Sequence, residues 1–185
     1  MAGEDTMDRI LVVPGLHGSG PAHWQSWIEP LLGAGRVEQA DWSVPDIDRW
    51  AARVEQEVLR QQAPVFLVAH SFGCLASAVA AHRMPGRVAG ALFVAPANPE
   101  KFGISARMPS DRLDFPSVLA ASRNDPWMSY AASRSWAARW DAELVDLGKA
   151  GHVNTDSGHG PWPDGLALFE RLRQQALLPA ESQPA

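Results

Sequence analysis

The sequence contains a single cysteine and very few lysines. Cys74 has no second cysteine with which to form a disulfide bond within the chain. Lys101 and Lys149 are the only lysines, no run of basic residues occurs, and the formal net charge is -5. A surface that follows nucleic-acid phosphates needs clustered positive charge. The composition therefore predicts no nucleic-acid partner.

Long hydrophobic runs are also missing. The first apolar run, residues 10–13, is too short for the hydrophobic part of a signal peptide or for a membrane span, so we expect a cytoplasmic protein with no membrane partner. The 185 residues, 46% of them hydrophobic, suit one domain over residues 1–185 that buries a core without disulfides or metals. We expect an ordered core over about residues 9–178 and a disordered tail over 179–185.

Short apolar runs rich in β-branched residues alternate with segments of helical periodicity. This alternation is typical of a parallel sheet with helices on both faces. It predicts an α/β fold of three layers, α/β/α, around a mostly parallel sheet of about six strands. The predicted strands are residues 10–13, 37–41, 65–69, 88–94, 117–122 and 143–147. The predicted helices are residues 22–32, 46–61, 72–83, 129–141 and 162–178.

Two segments interrupt the alternation. Residues 96–116 are rich in Pro, Asp and Ser and predict a surface excursion that could form a short cap. Residues 148–163 contain four glycines and two histidines and are longer than a connection in an α/β unit needs. Connections of this length are often functional. Neither segment is a long insertion, so we expect an open site with little or no lid.

Ser71 lies between a strand of β-branched residues and an alanine-rich helix, which is the setting of a nucleophile elbow. This sharp turn needs small residues two positions before and two positions after the nucleophile, and the sequence has Ala69 and Gly73 there. Alanine replaces the usual first glycine but keeps the side chain small. A serine at the start of a helix can instead be an N-cap, and this motif alone does not separate the two roles.

A nucleophilic serine needs a base, and the base needs an acid that orients it, in the chain order Ser, Asp or Glu, His. Asp125 follows the fifth predicted strand and His152 follows the sixth, so both are expected at the carboxyl edge of the sheet. The rival acids Asp111 and Asp114 precede the fifth strand, and the rival base His159 comes later in the same loop. Asp-Pro is also a common turn. The serine, acid and base together, in this order, nevertheless predict a catalytic triad.

An oxyanion hole is expected to combine two backbone N–H groups. One comes from the residue after the nucleophile, Phe72. The other comes from the glycine-rich loop of residues 14–20, where Leu16 is the preferred donor and His17 the next. The same loop could bind phosphate instead, but it has neither G-x-G-x-x-G nor the Gly-Lys-Ser/Thr ending of a P-loop.

Four side chains are predicted to contact substrate: His17, Trp24, Trp127 and Trp162. The tryptophans lie in or beside the segments that carry the predicted site. An aromatic wall favours an apolar or aromatic group on the substrate. Tryptophans at these positions also suit the core, so both roles stay open.

No metal or cofactor is expected. The sequence has no H-E-x-x-H and no cysteine pair, which leaves only scattered histidines as ligands. These are His17, His23, His70, His82, His152 and His159. Cys74 lies one helical turn beyond the predicted nucleophile, where a buried structural thiol is expected.

Several short motifs occur together over about residues 10–172. They are Val13-Pro14-Gly15, His23-Trp24-x-x-Trp27, Trp42-x-x-Pro45, Trp50, His70-Ser71-Phe72-Gly73, Asn124-Asp125-Pro126, Gly151-His152-Val153-Asn154 and Gly160-Pro161-Trp162-Pro163-Asp164-Gly165. With these motifs the sequence resembles the small serine hydrolases of the retinoblastoma-binding protein 9 and YdeN type, in the α/β-hydrolase superfamily. The resemblance implies that fold and a triad of Ser71, Asp125 and His152.

One property of this family is not expected to transfer. A member was proposed to bind retinoblastoma protein through L-x-C-x-E. Around Cys74 this motif needs Leu at position 72 and Glu at position 76, but the chain has Phe72 and Ala76. No such partner is therefore predicted.

The expected function is a carboxylesterase-like serine hydrolase that cleaves a small ester or amide through an acyl-enzyme. Short acyl esters or small peptide-like amides suit an open site better than long lipids. The alternative is a catalytically silent hydrolase fold that binds a protein or ligand. The sequence leaves both open, and turnover of p-nitrophenyl acetate separates them.

Overall fold

A computed structural model describes residues 9–178 as a six-stranded sheet with five helices. The strands are β1 (Arg9–Val13), β2 (Gly35–Arg36), β3 (Val65–His70), β4 (Val88–Val94), β5 (Ser117–Ala121) and β6 (Glu143–Asp146). The helices are α1 (Trp24–Leu32), α2 (Ile47–Leu59), α3 (Phe72–Arg83), α4 (Tyr130–Trp140) and α5 (Pro163–Leu177). The predicted tail over 179–185 lies outside the described residues. Over residues 9–178, no helix has the length and apolar character that crossing a membrane requires.

The six strands are parallel and lie in the order β2-β1-β3-β4-β5-β6. Helices cover both faces, which is why the inner strands are continuous apolar runs. In β3 the side chains alternate between the faces: Leu67 and Ala69 pack with residues of α2, α3 and α4, whereas Phe66 and Val68 pack with residues of α1 and α5. The predicted three-layer α/β/α architecture is confirmed.

The second strand differs from the prediction. It was expected at residues 37–41, but β2 is shorter and lies just before them. The reason is its partner β1, which is followed by Pro14, a residue without an N–H to continue the ladder. One further bond joins the N–H of Val37 to the carbonyl of Val12 at 2.9 Å, and the chain then leaves the sheet.

The excursion over residues 96–116 contains two short 3₁₀ helices, Pro99–Phe102 and Ser105–Arg107. It is anchored by apolar side chains buried in the core on the α2 and α3 face, which are Met108, Leu113 and Phe115. Its first part lines the cavity beside Ser71. Within the described part of the chain it forms a side wall of that cavity, and no segment covers the cavity as a lid.

Candidate active site

Ser71 occupies the turn from β3 into α3, with a backbone conformation that residues other than glycine rarely adopt. Its φ is 53° and its ψ is -123°. Glycines allow the neighbouring loop to come close: a Cβ on Gly73 would lie 2.4 Å from the carbonyl oxygen of Val13, and one on Gly15 would lie 2.8 Å from the Cβ of Ser71. The Ser71 side chain makes no capping hydrogen bond to α3. The local geometry is that of a nucleophile elbow rather than of an N-cap.

Ser71, His152 and Asp125 form a continuous chain of hydrogen bonds. His152 Nε2 lies 2.9 Å from Ser71 Oγ, and His152 Nδ1 lies 3.1 Å and 2.9 Å from Asp125 Oδ1 and Oδ2. An ionised carboxylate only accepts, so Nδ1 carries the proton and Nε2 can accept the proton of the hydroxyl. The side chains of His152 and Asp125 are 11% and 3% exposed. In this geometry His152 can take the proton from the hydroxyl of Ser71.

The rival residues lie outside this hydrogen-bond chain. Asp114 accepts a hydrogen bond from the N–H of Gly86, which lies just before β4, at the amino ends of the strands. His159 Nδ1 lies 3.2 Å from Ser157 Oγ, and its ring packs edge-on against Trp162. Because parallel strands all point the same way, the segments that follow β3, β5 and β6 meet at one edge. This common edge brings together residues that are far apart in the chain.

The loop that carries His152 is held by side chains from other elements. The N–H of Gly151 donates to Asn124 Oδ1 at 2.8 Å, so the residue next to Asp125 binds the residue next to His152. On the other side, the carbonyl of Val153 accepts a hydrogen bond from the indole N–H of Trp24 at 2.9 Å. The positions of acid and base are therefore coupled through the backbone.

Trp24 and Trp162, which were predicted to contact substrate, line neither cavity at Ser71. Trp24 is fully buried, and its ring packs edge-on against Trp162 with centroids 5.2 Å apart. Trp162 is also buried and precedes α5. The pair joins the starts of α1 and α5 under the His152 loop. Their apolar surface is buried in the core, so the two rings support the loop from below.

A cavity of about 500 Å³ opens beside Ser71. Its walls are Leu16, His17, Ser71, Ala97, Asn98, Lys101, Phe102, Trp127, His152, Asn154 and Asp156. His17 and Trp127, the other two side chains predicted to contact substrate, are among these walls. Trp127 is 57% exposed at the rim, and its ring lies 6.4 Å from that of His152. A smaller cavity of about 280 Å³ also reaches Ser71 and has more polar walls, including Gly18, Gly20, His23, His70 and Thr155.

Two backbone donors near Ser71 are available for an oxyanion. Among the described residues, the N–H groups of Leu16 and Phe72 have no hydrogen-bond partner. Phe72 begins α3, where N–H groups have no partner within the helix. The N–H of His17 donates to the carbonyl of Trp42 at 2.8 Å, which leaves it unavailable.

Two buried histidines beside the hydrogen-bond chain of Ser71, His152 and Asp125 were not assigned a role from the sequence: His23 and His70. Their ring centroids lie 4.9 Å apart, and the ring of His70 also lies 4.9 Å from that of His152. Burial, with the charge of Arg36 next in size, lowers the pKa of His23 to about 4. Burial also lowers the pKa of His70 well below its ordinary value. The only sequence signal was the position of each residue, one next to Ser71 and the other before α1.

We expect protein stability to fall as the pH drops from about 6.5 to about 4. In this window unfolded His23 takes up a proton while folded His23 stays neutral. The free energy of unfolding should then fall by up to about 1.4 kcal/mol per pH unit for this group, and the lowered pKa of His70 acts in the same direction. Urea unfolding at several pH values measures the slope.

The matched variant for this pH dependence is His23→Asn. Asparagine keeps an acceptor for the N–H of Gln25, which His23 Nδ1 now binds at 3.1 Å, but it does not titrate. The variant should show a shallower slope between pH 6.5 and 4.5, whereas His82→Asn, at an exposed histidine, should match wild type. An unchanged slope in His23→Asn would contradict the assignment.

The remaining candidates for chemistry are a metal site and the thiol of Cys74. Within residues 9–178, no group of three or more His, Cys, Asp or Glu side chains is arranged to hold a metal ion. Cys74 is fully buried, its Sγ lies 3.5 Å from the carbonyl oxygen of Val94, and burial raises the pKa of its thiol well above the ordinary value. A thiol held in its neutral form is a poor nucleophile.

A parallel sheet with an elbow serine after β3, and with an acid and a histidine after later strands, defines an α/β-hydrolase fold. The chain belongs to the serine hydrolase family, whose sequence profile matches residues 10–171. It is similar to a YdeN-like hydrolase from Pectobacterium atrosepticum, with 38% identity over 92% of each chain and a TM-score of 0.87. These two findings place the chain among the YdeN-like serine hydrolases of the α/β-hydrolase superfamily.

More distant structures share the fold alone. The YdeN protein of B. subtilis is 19% identical over 90% of this chain and 99% of its own, with a TM-score of 0.77. Est1E from Butyrivibrio proteoclasticus, in a structure with ferulic acid bound, is 13% identical over 94% of this chain and 92% of its own, with a TM-score of 0.71. A comparison with curated proteins gave no match.

Proposed function

We propose that this protein hydrolyses a small ester or amide through a Ser71-His152-Asp125 triad and an acyl-enzyme intermediate. The observation that carries the proposal is the hydrogen-bond chain from Ser71 Oγ through His152 to Asp125. In this chain an imidazole lies beside a serine of strained backbone, and a buried carboxylate lies behind the imidazole, which supports these roles. Each group has the contact that its role requires.

The reaction takes place in two halves. Ser71 Oγ attacks the carbonyl carbon of the substrate while His152 Nε2 takes the hydroxyl proton, and the carbonyl becomes a tetrahedral oxyanion. His152 then gives this proton to the leaving alcohol or amine, which departs and leaves the acyl group on Ser71. Water repeats the sequence, with His152 as base, and releases the acid. Asp125 holds the imidazole in one tautomer and stabilises its cation throughout.

The N–H groups of Leu16 and Phe72 form the oxyanion hole in this mechanism. Both groups belong to segments beside Ser71, and neither has another partner among the described residues. Fixed N–H donors stabilise the charge that develops on the oxygen, and one such donor is typically worth about a hundredfold to a thousandfold in kcat. Gly15 and Gly73 permit the close approach of the two segments.

The larger cavity holds the acyl group in this proposal. Its volume of about 500 Å³ suits a small or aromatic acyl group better than a long lipid. Trp127 supplies an aromatic wall at the rim, with the Lys101 ammonium 5.5 Å from its ring centroid. Among fold relatives, Est1E has been seen with ferulic acid, an aromatic acid.

We expect Trp127→Ala to reduce kcat/KM for aromatic acyl esters by about tenfold, because it removes one face of the cavity. For p-nitrophenyl acetate the loss should stay below about twofold, since an acetyl group does not reach the rim. A panel of p-nitrophenyl esters with acyl groups of increasing size measures the difference. Trp136→Ala, at a tryptophan on α4 outside the cavity wall, is the matched control. Equal losses across the panel would contradict the assignment.

The direct test of the function is covalent labelling with a fluorophosphonate. Intact-mass analysis should show one adduct, and peptide mapping should place it on Ser71. The label requires an activated serine, so folded protein that forms no adduct would argue against the hydrolase and for the silent binding module. Turnover of p-nitrophenyl acetate by the same preparation then tests hydrolysis itself.

A further inference from the structure

His70 is a buried histidine beside the nucleophile that takes no part in the proton transfers above. It is the last residue of β3, immediately before Ser71, and is 5% exposed. Its Nε2 lies 2.9 Å from the backbone carbonyl oxygen of His152. A carbonyl oxygen only accepts, so Nε2 carries a proton and donates it. His70 thus connects the strand of the nucleophile to the backbone of the base.

The carbonyl that His70 binds belongs to a segment of unusual backbone geometry. Gly151 and Val153, on either side of His152, have φ values of 62° and 49°. For a valine this conformation is strained, and it persists only where surrounding contacts impose it. The N–H of Gly151 and the carbonyl of Val153 are each bound by a side chain from another element. His70 binds the residue between them.

The surroundings of His70 favour a neutral donor. The rings of His23 and His152 each lie 4.9 Å from it, centroid to centroid, and Trp24 packs edge-on at 6.1 Å. Burial and these histidines hold the pKa of His70 well below its ordinary value. A neutral His70 adds no positive charge beside the imidazolium that forms on His152 during the reaction.

We propose that His70 is a positioning residue for the base: its Nε2–H fixes the backbone of His152 and so keeps His152 Nε2 within hydrogen-bond reach of Ser71 Oγ. The inference rests on the proposed function of the triad. A displacement of about 1 Å in a catalytic group can cost about a hundredfold in rate. The loss should fall on kcat, because His70 lines only the smaller cavity and not the larger one, which holds the acyl group in the proposed function.

Two variants separate the effect of the His70 N–H donor from that of its aromatic ring. His70→Phe keeps an aromatic ring without a donor, whereas His70→Gln keeps an N–H group near the position of Nε2. We expect kcat to fall by about tenfold to a hundredfold in His70→Phe, with KM within about twofold, and to recover to within about fivefold of wild type in His70→Gln. The matched control is His82→Phe, at an exposed histidine of α3, which should leave kcat unchanged.

Kinetics alone can overturn the proposal in two ways. One is a wild-type kcat in His70→Phe. The other is an equal loss in His70→Phe and His70→Gln, which would show that the imidazole ring matters and the donor does not. Thermal unfolding of each variant identifies a folding defect, and if His70→Phe does not fold, His70→Gln and the following measurement decide.

Nitrogen NMR tests the same bond without any activity. Wild-type His70 at pH 7 should be the neutral tautomer protonated at Nε2, and a proton on Nδ1 alone or a cation would overturn the proposal. The far-downfield proton of the His152–Asp125 hydrogen bond should weaken in His70→Phe and return in His70→Gln. If this pattern appears in protein that hydrolyses nothing, the proposed function fails while the hold of His70 on His152 is supported.

Discussion

Ser71→Ala is expected to lower kcat for p-nitrophenyl acetate by about four to six orders of magnitude. Without Oγ no acyl-enzyme can form, and only the oxyanion donors and substrate binding still assist direct attack by water. The side chain makes no capping hydrogen bond to α3, so its removal should leave the helix intact. Steady-state kinetics beside circular dichroism would show a loss of rate without a loss of fold.

His152→Ala should cost about as much as Ser71→Ala, and the double variant should cost little more than either. Groups that act as one unit lose their function together, so their effects do not add. Ser77→Ala is the matched control, because Ser77 is a buried serine within α3 whose hydroxyl has no hydrogen-bond partner in the described structure. If Ser71→Ala kept more than about a tenth of the rate, another residue would have to be the nucleophile.

Gly73→Ala is expected to reduce both stability and activity. The new Cβ would lie 2.4 Å from the carbonyl oxygen of Val13 and 2.5 Å from that of Pro14. Both atoms are backbone at the end of β1, which pairs with β3, so neither can swing away as a side chain would. Overpacking of this kind costs about 1–3 kcal/mol, against about 1 kcal/mol gained from the better helix propensity of alanine. The melting temperature should fall by several degrees.

Gly73→Ala should also lower kcat in the fraction of the protein that stays folded. Pushing Pro14 away also moves Leu16, the proposed oxyanion donor two residues further on, so kcat should fall by about tenfold or more. Gly20→Ala is the control in the same glycine-rich loop, because its added Cβ would meet no atom within 4 Å. If Gly73→Ala kept both the melting temperature and kcat of wild type, the close approach seen at the elbow would be wrong.

Much of the fold could be predicted from the chain alone because its signals are local. Alternating apolar runs and helical periods give five of the six strands within a residue or two and all five helices, and burial of both sheet faces explains why the runs are continuous. The order of Ser71, Asp125 and His152 also follows from the sequence, since parallel strands deliver the residues that follow them to one edge. The shortened β2 is the exception, because its length depends on where its partner β1 ends.

The detailed assignment of the site depended on contacts between distant segments. Trp24 and Trp162 are aromatic residues close in sequence to the predicted site, which is why substrate contact was expected. In the fold their rings pack on each other below the His152 loop. The N–H of His17 is removed from the oxyanion candidates only by its bond to the carbonyl of Trp42. Neither contact leaves a local pattern in the sequence.

The layered fold, the chain order of the reactive residues and the small side chains around Ser71 all follow from local features of the chain. Which groups touch the reactive residues depends on contacts that form only when the strands assemble. His70 shows the difference: its neighbour in the chain is Ser71, but its hydrogen-bond partner, His152, lies 82 residues away. Periodicity and turn chemistry act over a few residues and can be read directly, whereas a contact across the sheet edge exists only once the strands have assembled.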